Sequence, residues 1–373
     1  MDFELSEEQT LLRNLIERFV KDRYDTGKRA AYLRHESGFD PEGWQMLAEM
    51  GVLALPFAAD HGGMDGGPVE IMVMMQALGE GVAVEPVLAG PVLAGGLLAR
   101  AGSEDQIAQW LPAIIDGSQH VALAHIERDA RHDLAHVGTT ARPRGDDMLL
   151  AGQKSFVLGS GGADAFIVSA RDKQAKLGDK AAIRFYWVAA DAPGLTIQPY
   201  RLTDGSVACA LRLSDVPAAP LPGGWDAFED TLDIARLAIS AEMVGLMDML
   251  FAQTLDYIRS RKQFGMAIGQ FQAIQHRAVE LYVKLELSRS HLYRAASLNG
   301  EADATARQAR IGAKSFIAEA AVQLAEECVQ FHGAMGVTDE LIIGHAYKRL
   351  LLLAALFGPP ERELAAYAAQ PAC

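Results

Sequence analysis

The feature that most constrains the fold is a block of short β-rich segments between two long helical regions. Near Gly117 the spacing of apolar residues changes from the period of a helix to that of a strand. The segments that follow are rich in β-branched and aromatic residues and read VALAHIE, MLLAGQKSFVL, AFIVSA, IRFYWVAA and ACALRLSDV. They predict a small antiparallel β-barrel or sandwich, and PAAPLPGG at 217–224 predicts the linker that leaves it.

The regions on both sides of this block predict helices. In the first region Ser6 and Gln9 match a capping box, and Pro41 suits the first turn of a later helix. Further helical patterns cover 69–80, 90–101 and 104–115. In the last region the segment TLDIARLAISAEMVGLMDMLFAQTLDYI, at 231–258, is apolar almost all round, as expected of a buried helix.

This order of elements predicts an α+β multidomain protein. Its parts would be an N-terminal helical domain (1–117), a central β domain (118–222) and a C-terminal four-helix bundle (223–373).

Charge and composition exclude several classes of partner and site. The formal net charge of −14 argues against a nucleic acid or an anionic membrane as partner, because both require basic patches. The chain shows no signal peptide and no apolar run long enough to span a bilayer, so a cytoplasmic location is expected. No disulfide framework or zinc site is predicted, since the three cysteines, Cys209, Cys328 and Cys373, lie far apart.

The histidines of the β-rich block predict no metal site. His132 and His136 are four residues apart, but they lie in the strand-rich block and not on a predicted helix, where that spacing would be typical of a metal-ligand pair. Together with His125, they are better interpreted as ordinary surface or core histidines.

The segment RSRKQFGMAIGQFQAIQHR, at 259–277, concentrates positive charge in an acidic chain. On the basic residues alone, the solvated face of a helix would be the better interpretation. Together with QFHGAMG at 330–336 and the order of the elements, however, RKQFG…FQA…H resembles the acyl-CoA dehydrogenase family over essentially the whole chain. Within that family, the chain is most similar to the small subunit of pimeloyl-CoA dehydrogenase and to related subunits of heterotetrameric enzymes that lack the catalytic base.

The resemblance implies that the chain binds FAD in an extended form. Arg261 would reach the FAD diphosphate across a subunit interface, since a guanidinium offers paired donors to phosphate oxygens. Phe156 and Leu158 stand where the family has a tryptophan and a threonine, so stacking on the flavin would survive but a hydroxyl donor would not. On glycine alone, Gly333 would be a plain helix C-cap. The cofactor-binding residues implied by the resemblance are Arg261, Gln263, Phe264, Phe271, Gln272, Gln330, Gly333, Ala334, Phe156 and Leu158.

The segment IERDARHDL, at 126–134, departs in part from the pattern of the family. Glu127 and Asp133 match, whereas Ile126 and His132 replace a threonine and a serine. The resemblance therefore implies that FAD binding is weaker or depends on a partner.

The catalytic base of the family is missing. In the family reaction a glutamate takes a proton from Cα of an acyl-CoA while a hydride leaves Cβ for the flavin. The two positions at which the resemblance places that glutamate hold Phe357 and Ala235, so the catalytic residue is unknown. Asp233, Arg236 and Gly358 would still contact the substrate, and the N–H of residue 357 could donate to its thioester carbonyl. For Asp233 and Arg236, a structural ion pair is an equally good interpretation.

The resulting hypothesis is an FAD-dependent acyl-CoA dehydrogenase subunit that acts on a bulky or dicarboxylic acyl-CoA, including steroid side-chain esters. Its partner would be a second acyl-CoA dehydrogenase-like subunit that supplies the base, in a heterotetramer, or another copy of the chain in a homotetramer or dimer. Electron-transfer flavoprotein would accept the electrons. Glu242 and Glu361 are carboxylates near the empty positions in sequence. Two alternatives stay open: a non-catalytic scaffold with a vestigial flavin site, and a flavin-dependent monooxygenase on the same fold.

Overall fold

The computed structural model describes residues 4–145, 147–298 and 303–370 of the chain. The chain divides into two compact units. Unit 1 consists of Met1–Ala30, Gly67–Ala83 and Arg236–Cys373, and unit 2 consists of Ala31–Gly66 and Val84–Ala235. The three predicted domains, which have different boundaries, stay a prediction.

The α-helices confirm most of the predicted helical pattern. In chain order they are α1 (Glu7–Arg23), α2 (Thr26–Arg34), α3 (Pro41–Glu49), α4 (Pro68–Glu80), α5 (Gly96–Ala101), α6 (Glu104–Ile115), α7 (Trp225–Ser260), α8 (Gln272–Ser297), α9 (Ala304–His332), α10 (Ile342–Ala355) and α11 (Pro360–Ala368). The capping box of α1 is present, because Ser6 Oγ accepts the N–H of Gln9 at 3.1 Å and Gln9 Oε1 accepts the N–H of Ser6 at 2.9 Å. Pro41 is the first residue of α3.

Two helical predictions gain detail. Within α7, every residue from 231 to 247 except Arg236 is buried, as the all-round apolar pattern predicted. The predicted helix at 90–101 is instead a π-helical stretch, Leu88–Gly95, followed by α5. Pro91 lies inside that stretch, and a proline cannot donate to the hydrogen-bond ladder of an α-helix, which favours the wider turn.

The strands of unit 2 form a closed barrel. They are β1 (Val121–Ala124), β2 (Thr140–Arg144), β3 (Asp147–Leu158), β4 (Ala165–Asp172), β5 (Ile183–Ala189), β6 (Leu195–Arg201) and β7 (Val207–Pro220). The pairings β4–β2, β2–β3, β3–β7, β7–β5 and β5–β4 close a ring, to which β1 adds on β4 and β6 on β7. Buried apolar side chains such as Phe166, Val168 and Leu211 fill its core. The predicted α+β fold class is confirmed.

The barrel differs from the prediction in two details. Most pairs are antiparallel, but β1 and the first two residues of β2 run parallel to β4. The connection from β1 to β4 contains the whole β2–β3 hairpin, and a long connection allows parallel pairing. The predicted linker at 217–224 begins later, because β7 continues to Pro220.

The described part of the chain adds three observations on membranes, metals and cysteines. Across residues 4–145, 147–298 and 303–370, none of the helices combines the length and apolar character needed to cross a bilayer. The same residues contain no group of three or more His, Cys, Asp or Glu side chains that could hold a metal ion. Burial raises the pKa of the Cys209 thiol to about 11 and that of Cys328 to about 12, and Cys373 lies outside the described residues.

Candidate functional site

A sharp backbone corner follows α10 in unit 1. Phe357 has a φ of 59° and Gly358 a φ of 138°, both in the region that residues with a side chain rarely adopt. Two successive residues of α9 hold the corner: Lys314 Nζ donates to the carbonyl of Gly358 at 2.8 Å, and Ser315 Oγ donates to that of Pro360 at 2.9 Å. The corner is therefore fixed from α9 at Gly358 and at Pro360, two residues later.

The same corner carries a buried cluster of charges. Arg236 Nε lies 3.1 Å from Oε2 and 3.3 Å from Oε1 of Glu363, and Lys314 Nζ lies 3.9 Å from Oε1. The side chains of Arg236, Glu363 and Lys314 are only 15 %, 3 % and 0 % exposed. Burial lowers the pKa of Lys314 to about 8, with Glu363 opposing the shift and Arg236 adding to it. Two cations thus share one carboxylate.

The two positions at which the resemblance places the base carry no carboxylate. Phe357 is half-buried and Ala235 is fully buried. Glu242 accepts a hydrogen bond from Arg349 Nε at 2.6 Å, and Glu361 is exposed.

Sequence reasoning missed Glu363, whose Oε1 lies 3.6 Å from the position that a Cβ on Gly358 would take. The only sequence signal was a glutamate in the first turn of a short helix that begins at Pro360.

Two further residues, Asp233 and Arg236, were predicted to contact the substrate. Asp233, in unit 2, is 4 % exposed. Arg236, in unit 1, uses Nε to bind Glu363, and in the described part of the chain its two terminal nitrogens donate to no protein group. Those nitrogens are donors that a ligand could use.

The predicted residues near 261 form an exposed hairpin in unit 1. Two short strands, β8 (Lys262–Gln263) and β9 (Met266–Ala267), flank a turn in which Phe264 and Gly265 both have positive φ. Phe264 is 89 % exposed and meets the ring of Phe271 edge-on, with 6.2 Å between centroids. Four of the predicted cofactor-binding residues are exposed in this hairpin and at the start of α8: Arg261, Gln263, Phe264 and Gln272.

The end of α9 lies beside the hairpin. The ring of Tyr257, on α7, stacks on His332, the last residue of α9, with 4.2 Å between centroids. The carbonyl of Tyr257 also accepts the N–H of Arg261 at 2.8 Å. Gly333 follows with a φ of 60°, and a Cβ added to it would meet nothing within 4 Å. The structure thus brings the RKQFG and QFHGA motifs together, with open space above Gly333.

The predicted flavin-ring residues lie on the barrel of unit 2. Phe156 is half-buried on β3 and pairs with Ile126 through an isolated antiparallel bridge, and Leu158 is 8 % exposed. Glu127, which matched the family pattern, is not free. It pairs with Lys154 at 2.7 Å.

A buried polar network surrounds that ion pair. Lys154 Nζ also donates to Ser169 Oγ at 2.9 Å and to the carbonyl of His125 at 3.3 Å. Glu127 accepts hydrogen bonds from the N–H groups of Gly138 and Thr139 and from the hydroxyl of Thr139. Burial lowers the pKa of Lys154 to about 8 and that of His125 to about 3. The network ties the segment that follows β1 to β3 and β4.

Comparison with known proteins settles the family. Three models match the chain: the N-terminal domain of acyl-CoA dehydrogenases at residues 6–118, the middle domain at 122–216 and the C-terminal domain at 222–370. The acyl-CoA dehydrogenase FadE12 of Mycobacterium tuberculosis is 30% identical over 345 residues, which cover 90% of this chain and 88% of FadE12. The chain belongs to the acyl-CoA dehydrogenase family.

Two solved structures share the fold of this chain over nearly its full length. A variant of the Tcur3481-Tcur3483 steroid ACAD superposes with a TM-score of 0.87 at 29% identity and covers 97% of both chains. The ChsE4-ChsE5 complex from Mycobacterium tuberculosis superposes with a TM-score of 0.89 at 26% identity and covers 100% of both chains.

Members of the acyl-CoA dehydrogenase family use FAD, and the residues of unit 1 fit a dinucleotide. The Arg261 side chain is exposed and forms no ion pair with a described residue, so its donors are available to a diphosphate. The missing side chain of Gly333 leaves room for a ligand to approach the backbone. These contacts with FAD remain predictions.

Proposed function

We propose that the chain is a subunit of an FAD-linked acyl-CoA dehydrogenase that converts a bulky or dicarboxylic acyl-CoA to its 2,3-enoyl form, with the catalytic base supplied by a partner subunit. The observation that carries this proposal is the corner at Phe357. It is held by α9 and lies beside a buried charge cluster, yet neither Phe357 nor Ala235 can accept a proton.

The residues of the corner suit the binding and polarisation of a thioester. Among the described residues, the N–H of Phe357 has no acceptor, while the N–H groups of Leu356 and Gly358 donate back to α10 at 3.3 Å. A free N–H beside a bound thioester would donate to its carbonyl oxygen and make the proton on Cα more acidic. The chemistry that FAD would supply here is acceptance of the hydride from Cβ. Arg261, Gln263, Phe264, Phe271, Gln272, Gln330, Gly333, Ala334, Phe156 and Leu158 are the residues proposed to hold it.

The partner would be a second acyl-CoA dehydrogenase-like subunit. A groove of about 480 Å³ runs between α8 and α9 of unit 1. Val279, Val283 and Leu287 line it at spacings of four residues and are 62 %, 50 % and 47 % exposed. An exposed apolar stripe of this kind is typical of a helix that packs against another chain.

The relatives support a heteromer that acts on a large acyl group. ChsE4-ChsE5 is named as a complex of two proteins, and Tcur3481-Tcur3483 as a steroid ACAD. We extend both properties to this chain, with electron-transfer flavoprotein as the electron acceptor.

Co-expression with a candidate partner tests the proposal. The partner is chosen for a glutamate at the position that matches Phe357 or Ala235. The assembly should contain both chains and FAD by native mass spectrometry, and a dicarboxylyl-CoA or steroid side-chain thioester should bleach its flavin and yield enoyl-CoA. An assembly that binds FAD but neither bleaches nor forms enoyl-CoA with any such thioester would contradict the proposed function.

Replacement of Arg261 tests the FAD contact separately. Arg261→Gln should lower the FAD content of the assembly at least about tenfold, because a charge-assisted contact to phosphate is lost. Arg259→Gln is the matched control, since Arg259 is an exposed arginine two residues away whose ion pair is with Asp256. Equal FAD content in the two variants would refute the assignment of Arg261.

A scaffold role is the second candidate, and the replacements Ile126, His132 and Leu158 favour it. Spectral titration of the purified chain with FAD separates the two functions. Tight stoichiometric FAD in the chain alone would count against a vestigial site.

A further inference from the structure

The 356–360 corner needs an explanation of its own, because it combines an unfavourable backbone conformation with an unused donor. Phe357 carries a bulky side chain at a φ of 59°, and its N–H has no acceptor among the described residues. Both features raise the free energy of the corner, so other contacts must hold it in this form.

Those contacts come from Lys314 and Glu363. Lys314 is fully buried on α9 and donates to the carbonyl of Gly358, the residue directly after Phe357. A buried ammonium needs a counter-charge, and Glu363 supplies it at 3.9 Å. Glu363 Oε1 also lies 3.6 Å from the position that a Cβ on Gly358 would take, and Arg236 Nε binds the Glu363 carboxylate.

We propose that Glu363 and Lys314 are positioning residues, which hold Arg236 and the 356–360 corner so that the N–H of Phe357 stays available to a thioester carbonyl. This inference rests on the proposed function. It assigns a role to a carboxylate that stands close to the empty base position but does not act as the base.

Burial indicates that Glu363 positions other groups and does not itself accept the proton of a substrate. Its side chain is 3 % exposed, and its two oxygens face Arg236 and Lys314. Its effect on a substrate therefore passes through Arg236, Lys314 and the backbone of the corner.

The charge balance gives the proposal a pH signature. Burial already brings the pKa of Lys314 down to about 8, and the attraction of Glu363 is what opposes that shift. Removing the negative charge of Glu363 lowers the pKa of Lys314 further. The Lys314 ammonium, which holds the carbonyl of Gly358, should then lose its charge at a lower pH than in the unaltered chain.

The test uses an aryl-acryloyl-CoA thioester, whose absorption band moves to longer wavelength when its carbonyl accepts hydrogen bonds. It is added to the FAD-loaded assembly of the full chain with its partner, in which the partner carries its base glutamate replaced by glutamine. The unaltered chain should shift the band, and the shift should decline as pH rises through about 8. Glu363→Gln should bind the thioester but show at most about half of the band shift. The pH at which the remaining band shift is half lost should be lower by about one unit or more.

Two further variants complete the design. Glu361→Gln is the matched control, since Glu361 is exposed on the same helix, and it should retain the full shift and midpoint. If Glu363→Gln does not fold, Ser315→Ala replaces it, because that change removes only the hydroxyl that binds the carbonyl of Pro360. Ser315→Ala should give a partial loss of shift.

The outcomes separate the inference from the proposed function. An assembly that does not bind the thioester refutes the proposed function and the inference with it. Binding without a band shift in the unaltered chain overturns the inference alone. A full shift with an unchanged midpoint in Glu363→Gln, or a full shift in Ser315→Ala, also overturns it.

Discussion

The buried pair Lys154–Glu127 gives the sharpest stability prediction. Lys154 is 0 % exposed, and all three donors of its ammonium group are used: 2.7 Å to Glu127, 2.9 Å to Ser169 and 3.3 Å to the carbonyl of His125. Lys154→Met keeps the length of the side chain but leaves the Glu127 carboxylate buried without its cation. Breaking a buried pair in this way should cost about 3–5 kcal/mol of the free energy of unfolding of unit 2.

A surface pair provides the matched control for that prediction. Lys180 Nζ lies 2.9 Å from Glu229 Oε1, nearly the same distance, but its side chain is 56 % exposed. Lys180→Met should therefore cost no more than about 1 kcal/mol.

Urea unfolding followed by tryptophan fluorescence provides the assay. The signal reports unit 2 selectively, because that unit contains all four tryptophans, Trp44, Trp110, Trp187 and Trp225. The midpoint of the transition should fall strongly for Lys154→Met, with its slope against urea unchanged. The double variant Lys154→Met, Glu127→Gln should recover part of the loss, since no buried charge remains. A Lys154→Met midpoint as close to the original as that of Lys180→Met would refute the reasoning.

Three further predictions concern pH and association. In the folded state burial lowers the pKa of His125 to about 3, whereas in the unfolded chain the imidazole takes up a proton near its ordinary pKa of 6.5. Unit 2 should therefore lose stability as pH falls below about 6.5, and the urea midpoint of His125→Gln should fall less over the same pH range. Phe264→Ala should leave the free energy of unfolding within about 0.5 kcal/mol, because the ring is 89 % exposed, yet lower the FAD content of the assembly; unchanged FAD would contradict its proposed contact. Val283→Lys should prevent co-purification of the partner, whereas Leu11→Lys, at an even more exposed residue of α1, should not; sedimentation of the two variants decides this.

The order of elements could be predicted from sequence because it depends on local patterns. The buried length of α7 follows from an apolar run, and the start of α1 follows from a capping box within four residues. The strands β2 and β6 were missed, since β2 contains Pro143 and the residues of β6 are mostly exposed, which weakens the apolar alternation.

The charge clusters could not be predicted, because their members are distant in sequence. Arg236 and Glu363 are separated by 127 residues, and no local pattern says which face of α11 is buried. Lys154 did carry a signal that went unused: a lysine in the middle of an apolar strand must find a buried partner. Glu127 was singled out only through the family resemblance, and its role as that partner required the fold.

The conformation of the corner bears on the choice between a catalytic subunit and a scaffold. A positive φ at a bulky residue costs on the order of 1–2 kcal/mol, and in a protein such strain persists only where surrounding contacts enforce it. Here Lys314, Ser315 and Glu363 hold a turn that the resemblance matches to one of the two base positions of the family, although the Phe357 side chain cannot accept a proton. A subunit that served only to hold a partner would gain stability by relaxing this turn and pairing its free N–H. The retained geometry therefore favours a site that still binds a thioester carbonyl, with the proton acceptor on another chain.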